Sequence, residues 1–206
     1  MSEELILAVN RFDKPLGTVS RLEAHKYGVW HRTINYIIVD KLQKKIILGT
    51  RSTDNGLKAS IIGGHLKKEE NLQDNLRELF EETSLKKSEL RDYKFAGKIK
   101  MEVAKNKNKF IREFMYFYFV DIDLLAFRKK IISSEEHASF IEVQLADLSI
   151  TASILLKNCD ATDITSGKRI SISSSFFNNF SNYPMWEEIF VAANNFCYNK
   201  PFFFKG

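Results

Sequence analysis

Three glutamates near the middle of the chain are spaced in a way that could do chemistry. Residues 63–85 read GGHLKKEENLQDNLRELFEETSL: a glycine pair, a turn and an acidic stretch. Leu72, Leu76, Leu79 and Phe80 recur at i, i+4, i+7 and i+8, which predicts a helix with one apolar face. At about 100° per residue, Glu78, Glu81 and Glu82 all point away from that face. Glu81 has Arg77 at i−4 and Glu82 has Lys86 at i+4. Glu78 has Asp74 at i−4, Glu81 at i+3 and Glu82 at i+4, all acids. Each like-charge pair costs roughly 0.2–0.5 kcal/mol, and the C-terminal end of a helix already disfavours negative charge. A hard divalent cation, Mg²⁺ or alternatively Mn²⁺, would turn this repulsion into coordination. The bland alternative is a solvated acidic face.

These residues need elements to hold them. Residues 4–9 read as a strand, followed by a turn at 13–17. Thr33 to Val39 is β-branched and aromatic, so it predicts a strand. Lys41 to Lys45 would turn it into a return strand, Ile46 to Thr50. Residues 51–60 are polar and read as a loop, after which Ile61 and Ile62 lead into the glycine pair. Tyr93 to Val103 and Phe110 to Ile122 form a second expected strand pair. The run after Glu113 is continuously apolar, as in a central strand covered on both faces. Phe140 to Leu145 alternates as a strand, and Asp147 is a candidate N-cap for a helix running through Leu156. Residues 158–175 read as a loop or link. A tail helix is expected from Pro184 through Trp186, Ile189, Phe190, Ala193, Phe196 and Cys197.

Composition narrows the setting. A chain of 206 residues allows one domain with a sizeable extension. A net charge of +5 is mild. It suits an anionic small-molecule substrate and argues against nucleic acid as the partner. No apolar run is long enough to span a membrane, and the N-terminus lacks the pattern of a signal peptide. Cys159 and Cys197 form neither a metal motif nor a disulfide framework, so a cytoplasmic setting is the expectation. The basic run Lys98, Lys100, Lys105, Lys107, Lys109 and Arg112 reads either as a solvated hairpin tip or as a rim that attracts phosphates. Eight of the 17 phenylalanines follow residue 170. So aromatic a tail must be buried: on the same domain, in a homodimer interface, or as a lid.

The spacing of the acidic stretch resembles the Nudix box, G-x5-E-x7-R-E-U-x-E-E-x-G-U, where U is aliphatic. Gly63, Glu69, Arg77, Glu78, Leu79, Glu81, Glu82 and Leu85 match it, and Ser84 stands where the family has glycine. That position follows the helix, where a left-handed residue is often needed. A serine there costs on the order of 1 kcal/mol. Upstream, Glu4, Leu5, Gly17, Arg21, Glu23, His25, Gly28, Trp30, His31 and Arg32, then two strands and Arg51-Ser52, look like the branch of hydrolases related to type 1 isopentenyl diphosphate isomerase. That likeness covers roughly residues 4–148.

The resemblance implies an α+β Nudix fold, an α/β/α sandwich around a mixed sheet. An N-terminal β extension would precede it and a C-terminal helical extension would follow. The implied domains are residues 1–157, and an aromatic-rich extension, 158–206, packed on them. It also implies metal-dependent hydrolysis of a nucleoside diphosphate linked to a second moiety. Metal ligands would be Glu78, Glu81 and Glu82, with Glu69 joining through a water and Arg77 as an orienting group. Gly63, Gly64 and Arg51 would meet the phosphates. The general base would come from the box or from a distal loop, where Glu136 is favoured over Glu135; Glu113 is the strand alternative. Two rivals remain open. The isomerase carries a thiol where this chain has Gly63, and it binds metal through histidines in regions comparable to His25, His31 and His65. A non-catalytic nucleotide-binding Nudix module is the other. The three histidines read either as structural residues or as a second metal site.

Overall fold

In the computed structural model, the described residues are 3–54, 56–72, 75–106, 109–131, 139–152, 159–177 and 183–204. The chain opens with strands β1 (Leu5–Val9) and β2 (Pro15–Ser20), paired antiparallel, and then helix α1 (Arg21–Tyr27). β3 (His31–Asp40), β4 (Lys45–Thr53), β5 (Gly56–Ser60) and β6 (Ile62–His65) follow, and the box helix α2 (Arg77–Thr83) comes next. A 3₁₀ turn at Lys87–Glu89 leads to the long pair β7 (Leu90–Asn106) and β8 (Lys109–Ile122). The remainder is α3 (Leu124–Arg128), β9 (Ser139–Gln144), α4 (Leu145–Ala152), β10 (Cys159–Asp163), β11 (Arg169–Ile172), α5 (Ser174–Phe177) and α6 (Tyr183–Cys197).

The described strands join in one 11-stranded sheet. β3 is its hub, pairing antiparallel with β4 and β6 and parallel with β8, so the sheet is mixed. Residue parity decides which face each side chain covers. Ile37, Val39, Phe117 and Phe119 enter a core shared with Leu148, Phe177, Trp186, Phe190 and Phe196 of α4, α5 and α6. Ile34, Tyr36, Ile38, Tyr118 and Val120 enter a second core with Leu76, Leu79 and Leu85 of the box. Helices thus cover both faces, which is the expected α/β/α arrangement.

Several local expectations are corrected. Residues 51–60 are a hairpin of β4 and β5, not a loop. The run Asp54-Asn55-Gly56 is a turn signal at the level of sequence. Residues 158–175 include β10, which pairs with β9, and β11, which pairs with β10. The C-terminal stretch therefore contributes strands as well as α6. α4 begins at Leu145, so Asp147 lies in its first turn rather than capping it.

Helix α1 (Arg21–Tyr27) carries no apolar period in the sequence. Ser20 caps it, accepting from the Glu23 N–H at 3.2 Å, while the Ser20 hydroxyl donates to the Glu23 carboxylate at 3.0 Å. Gly28 closes it at φ 68°. Ser20-x-x-Glu23 is a capping-box signature at sequence level, but seven residues are too few to show an apolar period.

Candidate functional site

The box helix is shorter than its leucine spacing predicts, and its first turn is set by the preceding loop. Asn75 Oδ1 accepts the Arg77 N–H at 3.0 Å, and the Asn75 carbonyl accepts the Tyr36 hydroxyl at 2.6 Å. Leu72 lies before the helix and packs in a separate cluster with Leu7, Val9, Leu66 and Phe114. At the other end, Ser84 is left-handed at φ 57°, and its N–H donates to the Phe80 carbonyl at 2.9 Å.

The three box carboxylates do not point one way. Glu82 is buried and accepts the Gly63 N–H at 3.3 Å. The Gly63 amide is thus held by Glu82 and is not directed at a phosphate. Glu78 lies against Gly64: a Cβ on that glycine would fall 2.3 Å from the Glu78 carboxyl carbon. The Glu81 side chain is 58% exposed and pairs with Arg77 at 2.9 Å. Arg77 also reaches Glu70 at 2.5 Å, Glu78 at 2.6 Å and the His65 carbonyl at 3.3 Å. Burial pushes the Glu78 carboxyl above the usual carboxylate range against the pull of Arg77, and the charges of Glu81 and Glu82 add to the rise. Burial works against the Arg77 charge too, but the Glu70 hydrogen bond and the surrounding carboxylates raise its pKa overall. Glu69 is exposed.

On the other face of the β3–β6 ladder lies a cleft of about 840 Å³. Gly63 and Gly64 line it, together with Thr33 and Asn35 of β3 and Glu113 and Met115 of β8. Arg21, Lys26 and Arg51 supply cations to its wall. Glu78 and Glu82 therefore approach this cleft across the bare backbone of the glycine pair.

His25 of α1, His65 of β6 and Glu113 of β8 line the cleft, and with the fully buried His31 of β3 their ligand atoms all lie within 4.8 Å of one another. The ring centroids are 5.0 Å apart for His25 and His31, 5.2 Å for His31 and His65, and 5.5 Å for His25 and His65. His31 Nδ1–H donates to the Val29 carbonyl at 2.8 Å, and His25 Nδ1–H to the Phe110 carbonyl at 3.2 Å. A carbonyl only accepts, so Nδ1 carries a proton in both rings, and Nε2 is the ring atom turned away from these bonds. Nε2 of His31 and of His65 is buried with no hydrogen-bond partner. Glu113 stands 3.5 Å from His31 Nε2 without hydrogen-bond alignment. Burial pushes His65 down to about 2, and His31, Arg21 and His25 reinforce the shift; burial likewise lowers His25. Two buried ring nitrogens without partners, close to a third imidazole and a carboxylate, fit a divalent metal.

The structure thus places the predicted residues unevenly. Glu78, Glu82, Gly63 and Gly64 adjoin, Glu81 faces outward, and Arg51 is on the cleft wall. Glu135 and Glu136 lie outside the described residues. Among the described residues, the group of three or more ligating side chains is the histidine set with Glu113, not the box glutamates.

No family model matches the chain. A Clostridium acetobutylicum protein named as an uncharacterized Nudix hydrolase is 32% identical over 126 residues. The match spans 57% of this chain and 59% of that relative, so the chain covers less than two thirds of the relative's length. The crystal structure of DR0079 from Deinococcus radiodurans superposes with a TM-score of 0.52 at 18% identity, over 73% of this chain and 89% of that one. An Ap4A hydrolase from C. elegans gives 0.42 at 16% identity, over 60% and 86%. The superposition on DR0079 gives the fold, and over 126 residues the chain is similar in sequence to a protein named as a Nudix hydrolase.

Proposed function

We propose that this protein is a divalent-metal-dependent hydrolase of compounds in which a diphosphate joins a nucleoside to a second moiety. The observation that carries the reading is the meeting of two metal-suited sets across one glycine pair. Glu78 and Glu82 abut the backbone of Gly63 and Gly64, and the histidine set shares the cleft that these glycines line. Glu78 and Glu82, with Glu81 as third carboxylate, suit Mg²⁺ or Mn²⁺. His25, His31, His65 and Glu113 suit a more borderline ion such as Mn²⁺ or Zn²⁺. A bound ion supplies charge neutralisation at the diphosphate and a lower pKa for water.

The chain's own groups do the rest. Arg21, Lys26 and Arg51 attract the anion to the cleft. Gly64, without a side chain, leaves Glu78 beside the lining backbone. Arg77 fixes Glu78 and Glu81. Proton removal from the attacking water is assigned to Glu136. Activity that survives Glu136→Gln, together with a Glu113→Gln variant that still binds metal but loses kcat, would move that role to Glu113.

Gly63 also argues against the isomerase. A Cβ there would lie 2.1 Å from the Ile34 carbonyl oxygen and 2.9 Å from the Asn35 Cα, at φ 152°. The site therefore lacks the thiol and the room for one. The test is phosphate or nucleotide release from a panel of diphosphate compounds with Mg²⁺ and Mn²⁺. Glu82→Gln keeps an oxygen for the Gly63 N–H and is expected to abolish turnover in a folded protein. Full activity of that variant at saturating metal would overturn the ligand assignment, and binding without turnover by the parent protein would favour the module.

A further inference from the structure

The box assigns its first glutamate to position 69, yet Glu69 is exposed and the next residue makes the contacts. Glu70 Oε1 accepts from Arg77 Nε at 2.5 Å. Its Oε2 accepts the Lys67 N–H at 2.8 Å and Asn75 Nδ2 at 2.9 Å. Asn75 in turn accepts the first-turn N–H of Arg77, and its carbonyl is tied to Tyr36 in the core. Carboxylate, amide and guanidinium close a ring that joins the loop after β6 to the start of α2. Leu76, the residue that formally precedes the helix, makes no side-chain cap.

We propose that Glu70 and Asn75 are positioning residues for the box carboxylates, a role separate from the water-mediated metal contact that the resemblance gives to Glu69. The proposal rests on the reading of the box as a metal site. Arg77 lies 2.6 Å from Glu78 and 2.9 Å from Glu81. A guanidinium released from Glu70 is free to settle fully on these two acids and compete with a cation for their oxygens. Held by Glu70, it orients them and leaves their remaining lone pairs to the ion. Loss of a group that orients metal ligands costs about 10- to 100-fold in metal affinity.

The experiment is Mn²⁺ titration followed by electron paramagnetic resonance on the full chain. It is done in a His25→Gln/Glu113→Gln background, which silences the imidazole-rich set so that the remaining Mn²⁺ reports on the box. Adding Glu70→Gln is expected to weaken Mn²⁺ binding by about tenfold. Asn75→Asp keeps the acceptor for Arg77 and loses the donor to Glu70, so it should shift affinity the same way. Glu69→Gln should stay within about twofold of the background. In the parent protein, Glu70→Gln should raise the half-saturating metal concentration for hydrolysis and leave KM for the substrate unchanged. Equal effects of Glu69→Gln and Glu70→Gln, no effect of Glu70→Gln, or a background that binds no Mn²⁺ would each overturn the proposal. If the affinities shift as expected but no diphosphate compound is turned over, the hydrolase reading fails and the positioning role stands.

Discussion

His65 shows how burial sets the chemistry of a single residue. Its ring is buried, its Nε2 has no partner, and its pKa is pushed to about 2. The unfolded chain takes up this proton near pH 6.5, whereas the folded chain does not. Stability is therefore complete above that pH and falls as the pH drops, by up to about 1.4 kcal/mol per unit for this one group. Urea unfolding of the metal-free protein between pH 7 and pH 5 is expected to show that fall, and His65→Gln should flatten it. Parallel profiles would mean that His65 charges in the folded state. At this scale, linear spacing made Arg77, Glu78, Glu82 and Ser84 legible. It did not separate Glu69 from Glu70, because the turn between β6 and α2 decides which carboxylate faces Arg77.

At the scale of elements, α2 is a short helix whose ends are set from outside it. Seven residues do not hold a helix by propensity, so its stability comes from Leu79 and Leu85 in the second core and from the two termini. The left-handed Ser84 ends it where the family has glycine. Ser84→Gly is expected to raise stability by roughly 0.5–1 kcal/mol, read as a higher urea midpoint at unchanged slope. A lower midpoint would show that the serine side chain contributes something the glycine cannot replace. The apolar period overstated this helix because Leu72 satisfies the same spacing from the loop, packing against Phe114 instead. The opposite error hid α1 and the β4–β5 hairpin. Both are local structures marked by a capping box and a turn signal rather than by hydrophobic period.

Across the whole molecule, the aromatic C-terminal stretch completes the main core. Phe196 stacks on Phe119 with centroids 4.8 Å apart and meets Phe202 edge-on at 5.1 Å, while Lys41 lies 4.3 Å above its ring. Lys44 Nζ donates to the Cys197 carbonyl at 2.6 Å, tying the end of α6 to the β3–β4 turn. Phe196→Ala is expected to cost about 3–5 kcal/mol in denaturant unfolding. A loss below about 1 kcal/mol would mean that the tail docks on a core already complete without it. Among the described residues, no helix is long and apolar enough to cross a membrane.

The sequence by itself determined the box, because its residues lie on one short segment and a fixed number of intervening positions is a local property. It also determined the strand pair around β8 and the tail helix, where apolar runs are long enough to leave a period. Only the tertiary structure decided the second half of the site. His25, His31, His65 and Glu113 come from four elements spread over nearly ninety positions. They meet because β3 pairs with β6 on one side and with β8 in parallel on the other, while α1 folds back onto β8. Register and parity bring their side chains into one cluster, and neither is written in the spacing of the residues along the chain.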